Sequence, residues 1–174
     1  MKDMVGRFLL EWRTKVVLPR VEGRLLDIGC GLNELVARYG GNGTGVDVYQ
    51  WGNVDFVVED SSRLPFENES FDTVTIIAAL NHIPNRQEVL AEAYRLLKPG
   101  GKIMITMIPP RISQVWHFLR RPWDADQGER GMKSGEVYGM RPTEVRQLLK
   151  AVGFEVVIEK SFMFEINRLT IAKK

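Results

Sequence analysis

The feature that most constrains this chain is a regular exchange of two periodicities, short apolar runs followed by helix-spaced segments. Residues 24–28 read as a strand running into Gly29, Cys30 and Gly31, and 32–39 as a helix stopped by Gly40 and Gly41. Strands follow at 44–48, at 54–58 and at 71–78, the last nearly continuously apolar, as expected of a central strand covered on both faces. Asn85, with Glu88 three residues on, has the signature of a capped helix start, and Val89, Leu90, Ala93, Leu96 and Leu97 give that helix one apolar side. Lys98-Pro99-Gly100-Gly101 ends it, and 102–108 reads as a fifth strand. Pro142 opens a last helix that Gly153 closes; strands at 154–159 and 168–172 follow with no helix between them and should pair antiparallel. Ahead of the first strand, 4–17 sets Val5, Phe8, Leu9, Trp12, Val16 and Val17 near one helical face.

This alternation predicts an α/β fold: a doubly wound, mostly parallel seven-stranded sheet with helices on both faces and an antiparallel C-terminal hairpin. At roughly 150 residues per domain, the 174 residues read as a single domain, 1–174, with an N-terminal helix in 1–20 and an insert at 109–141. Composition agrees. A hydrophobic fraction of 44% and a charged fraction of 26% supply enough apolar side chain for a core and exclude general disorder. No apolar run approaches the ~18 residues of a membrane-spanning helix, and the N-terminal residues carry no apolar core for a signal peptide. The single cysteine, Cys30, cannot form an internal disulfide, which fits a reducing, cytoplasmic location. With His82 and His117 far from it in sequence, no metal cage is expected. A net charge of +2 and a pI near 8.7 fall short of the pI above ~9 that marks a nucleic-acid footprint.

Sheets of this kind bind ligands outside the carboxyl ends of their strands, near the point where strand order reverses. The residues just after each early strand are therefore informative. Gly29 and Gly31 let the backbone approach a ligand at a helix N-terminus. Asp27 beside that turn would repel a pyrophosphate, and Glu34 stands where a dinucleotide fingerprint has its third glycine. A cationic ligand suits the acidic turn better, and S-adenosylmethionine is one, with an ammonium and a sulfonium close together. Asp47, ending the second strand, can accept hydrogen bonds from both hydroxyls of a ribose. Asp60-Ser61, after the third, can take an adenine amine.

These motifs resemble the class I S-adenosylmethionine-dependent methyltransferases, of the small-molecule type that includes the quinone-biosynthesis enzymes. The resemblance is carried by LLDIGCG (25–31), GVDV (45–48), EDSSRLP (59–65), FDTVTIIAALNHI (71–83) and YRLLKPGGKIMI (94–105), close over 20–108 and looser over 135–174. It implies a Rossmann-like fold, S-adenosylmethionine as donor and S-adenosylhomocysteine as product. It also implies methyl transfer to a small-molecule acceptor by in-line displacement. Asp27, Gly29 and Gly31 would hold the methionine part, with Cys30 in the same turn, and Asp47 the ribose, with Val48 beside it. Asp60 and the Ser61 backbone would take the adenine, and Ile77 and Ala78 would lie under the methionine. The family commonly has a glycine at the place of Asn33; asparagine tolerates unusual backbone angles, so the turn should survive.

Some readings stay open. Cys30 fills the turn rather than acting as a nucleophile, since nothing nearby would lower its pKa. His82 suits a general base on the acceptor, or it caps its loop and packs beside the cofactor. Asn81, His82, Trp116 and His117 are the acceptor-side candidates. Segment 111–123, with three Arg, two Trp and no acid, reads either as a lid touching an apolar or anionic substrate or a membrane surface, or as a half-buried helix with solvated arginines. Segment 124–138 reads as a mobile loop. The short 1–20 and 109–141 imply a small acceptor, or a second subunit, as in a homodimer, that helps to cover it. An RNA methyltransferase, a cofactor-binding module without turnover and a nicotinamide dehydrogenase are the competing functions.

Overall fold

Four consecutive buried residues, Leu25–Ile28, form β1, an interior strand of the sheet. The computed structural model describes residues 4–110 and 134–174. Along the chain follow α1 (Met4–Val17), β1, α2 (Glu34–Tyr39), β2 (Gly43–Asp47), β3 (Phe56–Val57) and β4 (Phe71–Ile77). Then come α3 (Arg86–Leu96), β5 (Leu97–Met107), α4 (Pro142–Val152), β6 (Glu155–Phe162) and β7 (Asn167–Lys173). The seven strands make one sheet in the order β3-β2-β1-β4-β5-β7-β6. β1 pairs in parallel with β2 on one side and β4 on the other, so the strand order reverses there, the place at which sheets of this kind bind ligands beyond the carboxyl ends. Only β7 runs the other way, antiparallel to both β5 and β6, as expected for two strands joined without a helix.

Alternate residues of the strands feed two cores on opposite faces. Leu26, Ile103 and Ile105 pack with Leu90 of α3 and Leu149 of α4, whereas Leu25, Met104, Leu169 and Ile171 pack with Val17 of α1 and Leu35 of α2. The sheet is thus covered on both sides, as the alternation of strand and helix requires. No helix among the described residues is long and apolar enough to cross a membrane.

The departures from the sequence reading are local. α2 starts at Glu34 rather than Leu32, because Asn33 takes the left-handed conformation and turns the chain into the helix. β3 keeps only two residues, both exposed on the sheet edge. β5 begins directly at Leu97, and the Lys98–Gly101 turn survives as a register shift against β4, with Gly100 at a φ of 76°. Asn85 makes no cap to α3, because its amide is turned to Asp60. In α1 the buried line is Leu9, Arg13 and Val17, while Phe8 is half exposed.

Candidate functional site

Asp27 lies between Gly45 of β2 and Thr75 of β4, one residue before the end of β1. Its carboxylate is 2% exposed, and Thr75 Oγ1 donates a 2.6 Å hydrogen bond to its Oδ1. Burial pushes the carboxyl up to about 7, against the Thr75 hydrogen bond, and the charge of Asp47 adds to the rise. Immediately beyond, Gly29 has a φ of 72°, and a Cβ there would meet the Cβ of Ala79 at 2.6 Å, so both conformation and space demand glycine. Gly31 is the opposite case: its φ is 54°, but among the described residues a Cβ would meet nothing within 4 Å. The turn therefore packs tightly on the segment that follows β4 at its first glycine and, among the described residues, faces open space at its second.

Asp47 closes β2. Its Oδ2 accepts the Gly31 N–H at 3.0 Å and its Oδ1 accepts the Tyr49 N–H at 3.0 Å. Each oxygen is fixed by one backbone donor and keeps capacity for another. The Cys30 thiol is pushed up by burial first and then by Asp27, Asp47 and Asp55, which keeps it protonated and fits a filler of the turn rather than a nucleophile. Asp27, Asp47 and Cys30 thus share one acidic cradle. Among the described residues, no cation contacts either carboxylate.

Asn33 holds a φ of 60° and is buried. Its Nδ2 donates to Asn53 O at 2.8 Å and to Asp55 Oδ2 at 3.0 Å, and that same oxygen accepts the Gly45 N–H at 2.7 Å. The side chain ties the glycine turn to the loop after β2. Its Oδ1 has no hydrogen-bond partner among the described residues and lies against Gly45, where a Cβ would come within 2.0 Å of it. Gly45→Ala is expected to destabilise the fold by about 1–3 kcal/mol, as overpacking does. In an Asn33→Gly background the same change should be close to neutral, and urea unfolding of the four proteins of this cycle measures the coupling.

Asp60 lies in the loop after β3. Its Oδ1 accepts the Ser62 N–H at 2.8 Å and Asn85 Nδ2 at 2.9 Å, and its Oδ2 accepts Ser62 Oγ at 2.8 Å. These bonds, the Ser62 backbone first, hold its carboxyl below the usual range. Asp60 shapes the loop that presents the buried Ser61, and Glu92 of α3 fixes that loop further by accepting the Leu64 N–H at 2.8 Å. Val48, by contrast, is exposed.

At the end of β4, beyond Ile77, Ala78 sits at a φ of 53°, with its N–H donating to both Thr106 O and Thr106 Oγ1 at 3.1 Å. A left-handed alanine costs about 1 kcal/mol or more, and such strain clusters at ligand sites. A 3-10 turn, Leu80–His82, follows. Asn81 is buried and donates to Val137 O at 3.3 Å, and His82 Nδ1 lies 3.4 Å from Glu136 Oε2. Trp116, His117, the segment 111–123 and most of 124–138 lie outside the described residues.

Two residues at this edge were not marked by the local patterns. Arg13 of α1 is 9% exposed and donates from Nε to Asn167 Oδ1 at 2.9 Å, and burial draws its guanidinium down to about 10. Asn167 opens β7 beside the end of β5, where Arg168 pairs with Met107, so Arg13 sits at the carboxyl edge of the sheet. No carboxylate contacts it among the described residues. Its place between Leu9 and Val17 at helical spacing was the available signal. Glu136 had none, because its partner is 54 residues away. A separate cleft of about 990 Å³ lies between α3, α4 and residues 136–140. Of the site residues only Glu136 borders it, so it is not the cradle.

Residues 26–105 match the family model of a methyltransferase domain. The demethylmenaquinone methyltransferase of Thermotoga maritima is 29% identical over 124 residues, 62% of this chain and 53% of that protein. A ubiquinone/menaquinone biosynthesis C-methyltransferase of Brucella canis is 29% identical over 116 residues, 63% of this chain and 42% of that protein. The chain therefore spans about half the length of these curated relatives. Among solved structures, the 1,6-didemethyltoxoflavin-N1-methyltransferase of Burkholderia thailandensis, crystallised with 1,6-didemethyltoxoflavin and S-adenosylhomocysteine, superposes with a TM-score of 0.68. It is 18% identical, and the match covers 95% of this chain and 78% of that one.

Proposed function

We propose that the chain is a class I S-adenosylmethionine-dependent methyltransferase, similar to those of quinone biosynthesis, and that it transfers the donor's methyl group to a small-molecule acceptor. The observation that carries the proposal is the cradle. Two buried carboxylates without a cationic partner among the described residues face a glycine turn that opens on free space. Asp27 suits the donor's ammonium and Asp47 its ribose hydroxyls, through oxygens that the Gly31 and Tyr49 amides already orient. Gly31 leaves room for the ligand, and Ile77 with Ala78 forms the floor under its methionine part. Arg13, a buried cation with no carboxylate partner described, suits the carboxylate at the donor's amino-acid end. Asp60 serves the adenine chiefly by shaping the loop that offers the Ser61 backbone.

The donor's sulfonium supplies the activation of the methyl group, so the protein's part is to hold the two reactants in line. Orientation alone reaches about 7–11 kcal/mol in well-aligned models. The acceptor approaches from the side of the Leu80–His82 turn, where Asn81 and His82 meet residues 134–140. Both curated relatives are named for quinone biosynthesis, which favours a small molecule as acceptor. The test has two parts. Calorimetric titration should show binding of S-adenosylhomocysteine. Donor labelled in its methyl group and incubated with a metabolite extract should then give a labelled small molecule by mass spectrometry; no binding in the first part overturns the reading.

A further inference from the structure

Residues 134–140 are clasped onto the turn that carries His82. The Val137 N–H donates to Asn81 O at 3.0 Å, and Asn81 Nδ2 donates back to Val137 O at 3.3 Å. Arg86 bridges the two segments, donating from Nη2 to Gly135 O at 2.7 Å and to Asn81 O at 3.1 Å, and from Nε to Leu80 O at 3.1 Å. The Met140 N–H, donated to Ile108 O at 3.2 Å, ties the far end of the segment to the end of β5. This clasp carries the Glu136 carboxylate inward. Its side chain is 1% exposed and its Oε2 is 3.4 Å from His82 Nδ1, while the His82 side chain remains 26% exposed.

A buried carboxylate on one imidazole nitrogen selects the tautomer with the proton there and leaves the other nitrogen as an acceptor. The arrangement is a base with an orienting carboxylate, at the length common before a substrate tightens the site. The geometry points to Glu136 as the positioning residue that holds His82 as the proton acceptor of methyl transfer, and so to an acceptor bearing a weakly acidic hydroxyl, a phenol or an enol. This rests on the methyl-transfer reading above and specifies the acceptor that reading left open. In the step, the acceptor's O–H bond breaks, with its proton passing to His82 Nε2. The freed electron pair forms the bond to the methyl carbon, and the carbon–sulfur bond breaks with its pair left on sulfur. Glu136 offsets the charge of the resulting imidazolium.

The experiment separates this proposal from the reading beneath it. With only two histidines in the chain, nitrogen-15 spectra of the imidazoles, assigned with a His117→Gln sample, report the tautomer of His82 without any acceptor. The proton should sit on Nδ1 in the parent protein at alkaline pH and move to Nε2 in Glu136→Ala. In a metabolite extract, Glu136→Gln should lower the rate of methyl labelling tenfold to a hundredfold, and His82→Gln at least a hundredfold. Affinity for S-adenosylhomocysteine should stay within twofold of the parent in both. An Nε2 proton in the parent, unchanged labelling in Glu136→Gln, or a labelled product methylated on an amine or a thioether overturns the dyad. Loss of S-adenosylhomocysteine binding by the parent overturns the methyl-transfer reading instead.

Discussion

Asp47→Ala is expected to weaken binding of S-adenosylhomocysteine by two to four orders of magnitude. Two hydrogen bonds from ribose hydroxyls to a charged acceptor contribute roughly 1.5–3 kcal/mol each, and each 1.4 kcal/mol is about tenfold in affinity. The structure explains why the effect should lie in binding. Both carboxylate oxygens are oriented in advance by the Gly31 and Tyr49 amides, so little ordering remains when the ligand arrives. The same two bonds shape the turn, and removing them also loosens the fold. Asp47→Asn is the companion variant: its one remaining carbonyl oxygen keeps a single anchor, and its loss should be about 10–100-fold. Calorimetric titration measures both, with melting temperatures taken alongside; an unchanged dissociation constant in Asp47→Ala would remove Asp47 from the ribose.

The sheet was legible because its signals are local. The first three strands are short runs that end at a glycine or an acid, and the nearly continuous apolar 71–78 run placed β4 at the centre, where it is found between β1 and β5. The cradle was legible for the same reason, since Asp27, Gly29, Gly31 and Asp47 close two adjacent strands. What escaped depends on contacts between distant segments. Asn33 could be read as a tolerated left-handed residue, but not as a tie to Asn53 and Asp55. Asp60 could be read as following the third strand, but not as bonded to its own turn and to Asn85, which is thereby lost as a helix cap. Arg13 was hidden by reading only apolar side chains as buried, although its spacing to Leu9 and Val17 put it on the packed face. Glu136 lay in a stretch whose charge and glycine content read as a loop, and only the clasp onto Asn81 and Arg86 gives it a place.

Donor affinity is expected to rise with pH up to about 7 and then level. The cause is Asp27, whose carboxyl burial pushes up to about 7 from an ordinary value of 3.8. Between those two pH values the folded protein holds a proton that the unfolded chain has released. The ligand-free fold therefore loses stability as pH rises through that window, by about 4 kcal/mol in all, and changes little above it. An ammonium brought against Asp27 favours its ionised form, so binding below pH 7 must expel the proton. Affinity should then climb about ninefold from pH 5 to 6 and about fivefold from pH 6 to 7, with close to one proton released at pH 6 and almost none at pH 8.5. Calorimetric titration of S-adenosylhomocysteine in two buffers of different ionisation enthalpy counts that proton directly. Asp27→Asn keeps an oxygen for the Thr75 hydroxyl and removes the buried charge. It should be more stable than the parent at pH 8, bind the ligand at least tenfold more weakly there, and release no proton at any pH. A parent protein whose affinity stays flat between pH 5.5 and 8 would show that the ligand's cation never meets Asp27, and the acidic cradle would then have to serve another group.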